Sequence, residues 1–115
     1  MRALLFVTLF LVSCQRGGNP PPVGDAKHGE KLIADVGCGA CHEIPGVKSA
    51  RGVVGPPLEH FAKRTFIAGE VPNKPDELVK WLMNPHATEP ATAMPALGLG
   101  EGEARDVAAY LYTLD

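Results

Sequence analysis

The feature that most restricts how this chain can fold is the segment Cys38-Gly39-Ala40-Cys41-His42. Its two thiols lie about one helical turn apart, so both can reach the same side of the backbone. The adjacent histidine brings an imidazole, a common metal ligand, to the same place. Two cysteines separated by two residues, with a histidine directly after the second, form the attachment motif of c-type haem. The segment therefore predicts that the chain folds around one covalently bound haem c.

Three other uses of the cysteine pair are weaker interpretations of the same residues. A thioredoxin-like redox pair would need a strand–helix–strand pattern around it, and the sequence has none. A zinc site would need further ligands at suitable spacing, whereas His60 and His86 are unpaired by spacing. A disulfide between Cys38 and Cys41 would close so small a loop that it would stabilise the fold very little.

The N-terminus has the pattern of an export signal. Arg2 precedes an apolar run over residues 3–12 that only Thr8 interrupts. The run is shorter than the roughly 20 residues that a membrane-spanning helix needs, but it suits the apolar part of a secretory signal. Residues 11–14 resemble a bacterial lipoprotein signal, in which cleavage precedes a lipidated cysteine. We expect lipidation at Cys14; an ordinary signal peptide with a cysteine near its end is the alternative.

These signals divide the chain into three parts. Residues 1–13 are the predicted signal peptide, and residues 14–24 are the predicted lipidated cysteine with a linker rich in proline and glycine. About ten extended residues could hold a domain up to roughly 30 Å from a lipid surface. Residues 25–115 are the predicted folded domain. The expected location is the periplasm or the outer face of the cell membrane, with the domain attached by its lipid.

The pattern of the folded part is helical. Apolar positions recur at helical spacing, and no alternating strand pattern of useful length appears. An all-α fold follows, with three main helices and a short one at residues 26–36, 75–84, 101–114 and 58–64. Long loops without regular structure separate them, at residues 45–57, 65–74 and 86–100. Loops of this length in a small domain need something to fold around. They indicate a buried cofactor independently of the cysteine motif.

An iron held by His42 needs a sixth ligand or keeps an open face, and five side chains are candidates for it: Met83, Met94, His28, His60 and His86. We favour Met94 because it lies in a turn-rich loop between two helices, where a side chain can be presented inward. Met83 lies near a helix end and is expected to pack or face solvent. His86 could compete for the iron, while His28 and His60 are expected at the surface.

From about residue 25 to the C-terminus the chain resembles the class I c-type cytochromes. The resemblance rests on motifs that are far apart in sequence: the cysteine motif after a helix containing Gly29, Gly55-Pro56-Pro57-Leu58, Trp81-Leu82-Met83-Asn84-Pro85 followed by Met94, and Ala109-Tyr110-Leu111. It implies a small cytochrome c fold wrapped around one haem.

The resemblance also implies roles for individual residues. The carbonyl of Pro56 would accept a hydrogen bond from the Nδ1 of His42, Met94 would be the axial ligand, and Thr92 would lie near the haem edge. Tyr110 would pack against Gly29 where the first and last helices cross. Two further residues each have two possible roles. Arg64 is either a partner of a haem propionate or an exposed arginine. Trp81 either donates its indole N–H to a propionate or another polar group or packs on the haem.

Histidine and methionine ligation favours electron transfer over chemistry on a substrate. It raises the reduction potential relative to two imidazoles and leaves no open position on the iron. We therefore expect an electron-transfer protein rather than an enzyme, either a membrane-tethered carrier or the electron-entry module of a membrane oxidase or reductase. Redox proteins in or near the membrane are the expected partners. The net charge of −2 and the lack of a basic stripe argue against nucleic acid, and no small-molecule substrate is expected. The alternative is a haem enzyme or gas-binding sensor with an open or labile sixth site.

Overall fold

The structure, a computed structural model, describes residues 24–115. The predicted signal peptide, Cys14 and all of the linker except Gly24 lie outside the described residues. In chain order the elements are α1 (Ala26–Val36), a 3-10 turn (Cys38–Ala40), a second 3-10 turn (Phe61–Lys63), β1 (Phe66–Ile67), β2 (Val71–Pro72), α2 (Pro75–Met83), α3 (Pro85–Thr88) and α4 (Glu101–Leu111). The predicted helical fold class is confirmed, because four helices account for most of the regular structure. Within residues 24–115, no helix is both long and apolar enough to span a bilayer.

Helix α1 begins and ends where the sequence predicts. The carboxylate of Asp25 accepts hydrogen bonds from the backbone N–H groups of Lys27 and His28, at 3.0 and 3.1 Å, and so satisfies two donors of the first turn. Gly37 ends the helix with φ at 83°, a left-handed conformation that costs glycine little. The next residue starts the 3-10 turn of Cys38–Ala40. The end of α1 therefore sets the direction in which the cysteine pair leaves the helix.

Helices α1 and α4 cross in direct backbone contact at Gly29. A Cβ atom at Gly29 would lie 1.9 Å from the carbonyl oxygen of Asp106 and 2.9 Å from the nitrogen of Val107. Backbone atoms of α4 are thus the nearest neighbours of a side chain at Gly29, and the packing of Tyr110 on Gly29 stays a prediction. The hydroxyl of Tyr110 donates to the carbonyl of Pro45 at 2.6 Å. Tyr110 ties α4 to the loop that follows the cysteine motif.

The core lies between these two helices and α2. Ile33 of α1, Leu78 of α2 and Val107 of α4 are each only 1% exposed, and Ala104 and Ala108 have no exposed surface. Small residues on α4 allow its neighbours to approach closely, which is why a core with few aromatic side chains still closes. One side of this core faces the cleft described below.

The predicted helix boundaries need three corrections. Helix α4 ends at Leu111 rather than residue 114, and the chain continues in a hydrogen-bonded turn. The short helix predicted at residues 58–64 is a single 3-10 turn, Phe61–Lys63, because His60 takes a left-handed φ of 54°. A separate short helix, α3, begins at Pro85. Proline fits the first helical position, where its missing N–H is not needed.

A small β-hairpin was absent from the predicted fold. β1 and β2 pair antiparallel, with Ile67 opposite Val71. Ala68 and Gly69 form the turn between them, with φ values of 51° and 82°, and the N–H of Glu70 donates to the carbonyl of Ile67 at 3.2 Å. Positive φ at both central residues suits the twist of a tight hairpin. Two-residue strands are too short to show an alternating pattern, and Ala-Gly is a weak turn signal.

Candidate functional site

The three long loops that the sequence predicts come together around one cleft of about 400 Å³. Each loop supplies part of its wall, and helices α1, α2 and α4 supply its floor. The side chains that line it are mostly apolar, and the loop residues among them are Val54, Gly55, Pro56, Phe66, Ile67, Ala68, Glu89, Thr92, Ala93, Met94, Pro95 and Leu97. The loops thus fold around a space that a cofactor can fill, as their length indicated.

The two cysteines lie at the cleft as free, half-buried thiols. The 3-10 turn that carries them packs closely on the following loop, since a Cβ at Gly39 would lie 2.7 Å from the Cα of Ala50. Burial raises the pKa of the Cys38 thiol. A reactive cysteine of the thioredoxin kind needs the opposite, a lowered pKa and an electropositive environment. Cys38 therefore lacks the lowered pKa that disulfide exchange of this kind uses.

A hydrogen bond to a backbone carbonyl fixes the orientation of the His42 ring. Its Nδ1 lies 2.8 Å from the carbonyl oxygen of Pro56, and because a carbonyl can only accept, Nδ1 carries the proton. The other ring nitrogen, Nε2, is then left with a lone pair for a metal. Gly55 makes room for the ring, because a Cβ there would lie 2.3 Å from Cε1 and 2.6 Å from Nδ1. The contact that the resemblance assigns to Pro56 is present.

Met94 is the one candidate sixth ligand that lines the cleft. It is half-buried, and its backbone N–H donates to the hydroxyl oxygen of Thr92 at 3.2 Å. Thr92 also lines the cleft, so it both bounds the space and holds the methionine segment. The other candidates, Met83, His28, His60 and His86, do not line the cleft and have exposed side chains.

Arg64 and Trp81 also line the cleft. The guanidinium of Arg64 donates to the carbonyl oxygens of Pro57 and, at 3.3 Å, Glu59, and it lies 5.7 Å from the centre of the Phe61 ring. Arg64 is therefore bound to the loop that contains Pro56, and its pairing with a propionate stays a prediction. Trp81 is only 7% exposed and packs in the core against the cleft.

Asn73 is a structural residue of the site that sequence reasoning missed. It is 3% exposed, and its Nδ2 donates to the carbonyls of Phe61 and Arg64, both at 3.0 Å. Its Oδ1 accepts from the hydroxyl of Tyr112 at 2.6 Å. Burial raises the pKa of Tyr112 to about 12, which keeps that hydroxyl protonated near neutral pH. No sequence signal marks an asparagine in a loop as buried, so only the fold identifies this contact.

A comparison with protein families identifies the class of protein to which the folded domain belongs. The model of the family described as cytochrome c matches residues 26–115. The chain belongs to the cytochrome c family. Two proteins similar to this cytochrome c are the cytochrome c-type cyt cy of Rhodobacter capsulatus, 38% identical, and the cytochrome c oxidase subunit 2 of Alkalihalophilus pseudofirmus, 29% identical.

The matches cover most of this cytochrome c but only part of each relative. With the cyt cy protein the match covers 79% of this chain and 50% of the relative. With the oxidase subunit it covers 77% of this chain and 25% of the relative. The chain thus spans half the length of one relative and a quarter of the other.

The cleft fits the covalent haem c that the family implies. Two thiols one turn apart lie at its edge, the Nε2 of His42 is available for iron, and the walls are apolar. The missing side chain of Gly55 provides room for the ring of His42. Residues 24–115 contain no group of three or more His, Cys, Asp or Glu side chains placed to hold a metal ion.

Proposed function

We propose that this cytochrome c transfers electrons through a single haem, attached at Cys38 and Cys41 and ligated by His42 and Met94. The observation that carries the proposal is that His42, with Nδ1 bonded to Pro56, and Met94, held by Thr92, line the same cleft. When bound, the haem supplies a one-electron couple at its iron. The residues of the chain would hold the haem and orient its ligands.

The Pro56 carbonyl makes His42 a better and more rigid ligand. By accepting a hydrogen bond from Nδ1–H, it fixes the tautomer and the orientation of the ring and increases the basicity of the ligating nitrogen. Arg64 donates to the carbonyl of Pro57 and therefore restrains the segment that presents Pro56. We propose Trp81 and Arg64 as side chains near the propionates, which would complete the polar contacts of an otherwise apolar site.

Met94 would hold the iron on the side opposite to His42. A thioether ligand stabilises the reduced state more than an imidazole does and so would raise the reduction potential. If His42 and Met94 both hold the iron, substrates and gases would have no position to enter, and the site would favour electron transfer over catalysis on a bound substrate.

The proposed setting is the outer face of a membrane, with a lipid on Cys14 as the anchor. Residue 24 lies beside α4, where a Cβ on Gly24 would be 2.4 Å from the carbonyl oxygen of Arg105. The linker thus enters at the start of α1, and the cysteine motif lies at the other end of that helix, about 16 Å away at 1.5 Å per residue. A linker attached there leaves the cleft free to meet a partner. Similarity to a protein named as an oxidase subunit supports the proposal that this protein passes electrons to a membrane oxidase.

The ligand set can be tested by optical spectroscopy of the purified protein. The oxidised form should show the weak band at the red end of the spectrum that arises from sulfur bonded to ferric haem, and the reduced form should bind carbon monoxide slowly. Rapid binding of carbon monoxide would instead support a haem enzyme or gas-binding sensor, the alternative function, because it requires an open or labile sixth position.

The anchor can be tested by replacing its attachment residue. Cys14→Ser should release a soluble protein that is still red, since Cys14 is not part of the haem motif. Fractionation into membrane and soluble parts, with haem staining of both, measures the effect. Retention of Cys14→Ser in the membrane fraction would contradict the lipid anchor, and a matched Ser13→Ala change should leave the wild-type distribution.

A further inference from the structure

One wall of the cleft is formed by residues 61–68, which run from the second 3-10 turn into β1 and which we call the hairpin wall. Five of its side chains line the cleft: Phe61, Arg64, Phe66, Ile67 and Ala68. The wall contains no regular element longer than three residues, and an isolated two-stranded hairpin is at best marginally stable in water. Contacts with the rest of the chain must therefore hold this wall in place.

Asn73, directly after β2, makes three of these contacts. Its Nδ2 donates to the carbonyl oxygens of Phe61 and Arg64, both at 3.0 Å, and its backbone N–H donates to the carbonyl of Thr65 at 3.0 Å. Asn73 is 3% exposed and does not line the cleft, so these bonds lie outside the cofactor space. Carbonyls at both ends of the stretch 61–65 are thus bonded to a single buried residue.

Tyr112, in the turn after α4, fixes the orientation of the Asn73 amide. Its hydroxyl donates to Oδ1 of Asn73 at 2.6 Å, so the amide oxygen faces the tyrosine and the amide nitrogen faces the hairpin wall. The ring of Tyr112 also meets the ring of Phe61 edge to face, with 5.9 Å between the centroids, an arrangement that aromatic rings favour. Because burial raises the pKa of Tyr112 to about 12, the hydroxyl stays a donor throughout the neutral range. Tyr112 therefore supports the wall both through Asn73 and through Phe61.

The loss of the Asn73 amide would be felt at the cleft. A buried carbonyl that loses a hydrogen-bond donor carries a desolvation penalty unless it reaches another donor. Water is the replacement donor, and the carbonyls of Phe61 and Arg64 can reach water only if the hairpin wall moves. A wall that moves to admit water also admits it to the cleft that the same residues line.

We propose that Asn73 and Tyr112 are positioning residues that hold the hairpin wall in place at the cleft, exclude water from the haem and thereby raise its reduction potential. Oxidised haem iron carries one more positive charge than reduced iron, so water near it favours the oxidised state. A closed apolar shell has the opposite effect. The inference rests on the proposed electron-transfer function and adds two residues that tune its potential without contacting the iron.

Potentiometric titration of the holoprotein tests the role of Asn73. Asn73→Ala should shift the equilibrium between reduced and oxidised haem by about tenfold toward the oxidised state, the lower end of the roughly 10–100-fold effects of residues that support metal ligands. For a one-electron couple, tenfold corresponds to about 59 mV. Asn84→Ala makes the same chemical change at an exposed position outside the cleft and should keep the wild-type potential. Both variants should keep the sulfur band, since neither alters Met94.

Tyr112→Phe is the milder variant, because it keeps the ring on Phe61 and removes only the hydroxyl. It should shift the equilibrium in the same direction by about threefold, as expected for one hydrogen bond. Tyr110→Phe is its matched control, since it also breaks a tyrosine–oxygen bond of 2.6 Å, to the carbonyl of Pro45, which does not line the cleft. Tyr110→Phe should lower the stability to urea by a similar amount but keep the wild-type potential.

Amide hydrogen exchange in the fully reduced protein is a second readout. The amide hydrogens of Arg64 and Glu70 donate within the 3-10 turn and the hairpin, and both should exchange faster in Tyr112→Phe, whereas those of α1 should keep wild-type rates. In the double variant the potential should equal that of Asn73→Ala alone, because the hydroxyl acts through the amide.

Wild-type potentials in both Asn73→Ala and Tyr112→Phe, or an equal shift in Tyr110→Phe, would overturn the positioning role and leave Asn73 important for stability alone. If Asn73→Ala does not fold, the comparison of Tyr112→Phe with Tyr110→Phe decides. Rapid binding of carbon monoxide by the wild type would instead contradict the proposed function, and the exchange rates of Arg64 and Glu70 would still show whether the pair holds the hairpin wall.

Discussion

Met94→Ala should leave the haem covalently bound but remove the red-end sulfur band and lower the reduction potential. The thioether is the proposed ligand that favours reduced iron, so its loss should lower the potential by tenths of a volt, within the roughly 0.8 V range that axial ligands span. Carbon monoxide binding should also become fast, because the sixth position opens. A potentiometric titration followed by optical spectroscopy measures these effects.

The matched control for this change is Met83→Ala, which removes the same atoms from an exposed position outside the cleft. It should keep the sulfur band and the potential of the wild type. If Met94→Ala has a wild-type spectrum, Met94 is not the ligand. A sulfur band that persists in Met94→Ala would then require Met83 as the ligand, whereas a wild type without that band would favour His86, which the sequence offers as a competitor.

Gly29→Ala is expected to cause the largest loss of stability. The added methyl would lie 1.9 Å from the carbonyl oxygen of Asp106, an atom of the α4 backbone that cannot turn away. The helices would have to separate, and overpacking of this kind costs about 3 kcal/mol or more of unfolding free energy when the contacting atoms are rigid. Urea denaturation of the holoprotein, followed by far-ultraviolet circular dichroism, measures the loss.

Gly102→Ala is the appropriate control because it makes the same chemical change in a helix. A Cβ at Gly102 would meet no atom within 4 Å, so the change should stabilise the protein by up to about 1 kcal/mol through helix propensity. Equal midpoints for Gly29→Ala and the wild type would show that α1 and α4 can move apart at little cost. That result would contradict the close crossing of the two helices.

Much of the fold follows from signals that lie within a few residues of each other. The Asp25 cap and the Gly37 stop define α1, and Pro75 with the acidic first turn defines the start of α2. The boundaries that were wrong depend on more distant contacts. The left-handed conformation of His60 shortens a predicted helix to one turn, and the hairpin of β1 and β2 has strands too short to produce a pattern.

The features of the candidate site likewise fall into those that depend on residues close in sequence and those that depend on distant contacts. The sequence by itself determined the spacing on which the predicted attachment chemistry depends, because Cys38, Cys41 and His42 lie within about one turn of backbone and need no other element to define it. It also indicated a cofactor, because loops of this length in a small domain need a buried group to pack against. For the sixth ligand, however, it left five side chains as candidates.

The tertiary structure decided what depends on residues far apart in sequence. It brings Met94 into the wall of the cleft that contains His42, 52 positions away, and leaves the other four candidates outside it. It also buries Asn73. The physical reason is that the neighbours of a residue in sequence determine whether it lies in a helix or a turn. Which side chains line one cleft depends instead on the packing of α1 on α4 and on the closure of the three loops.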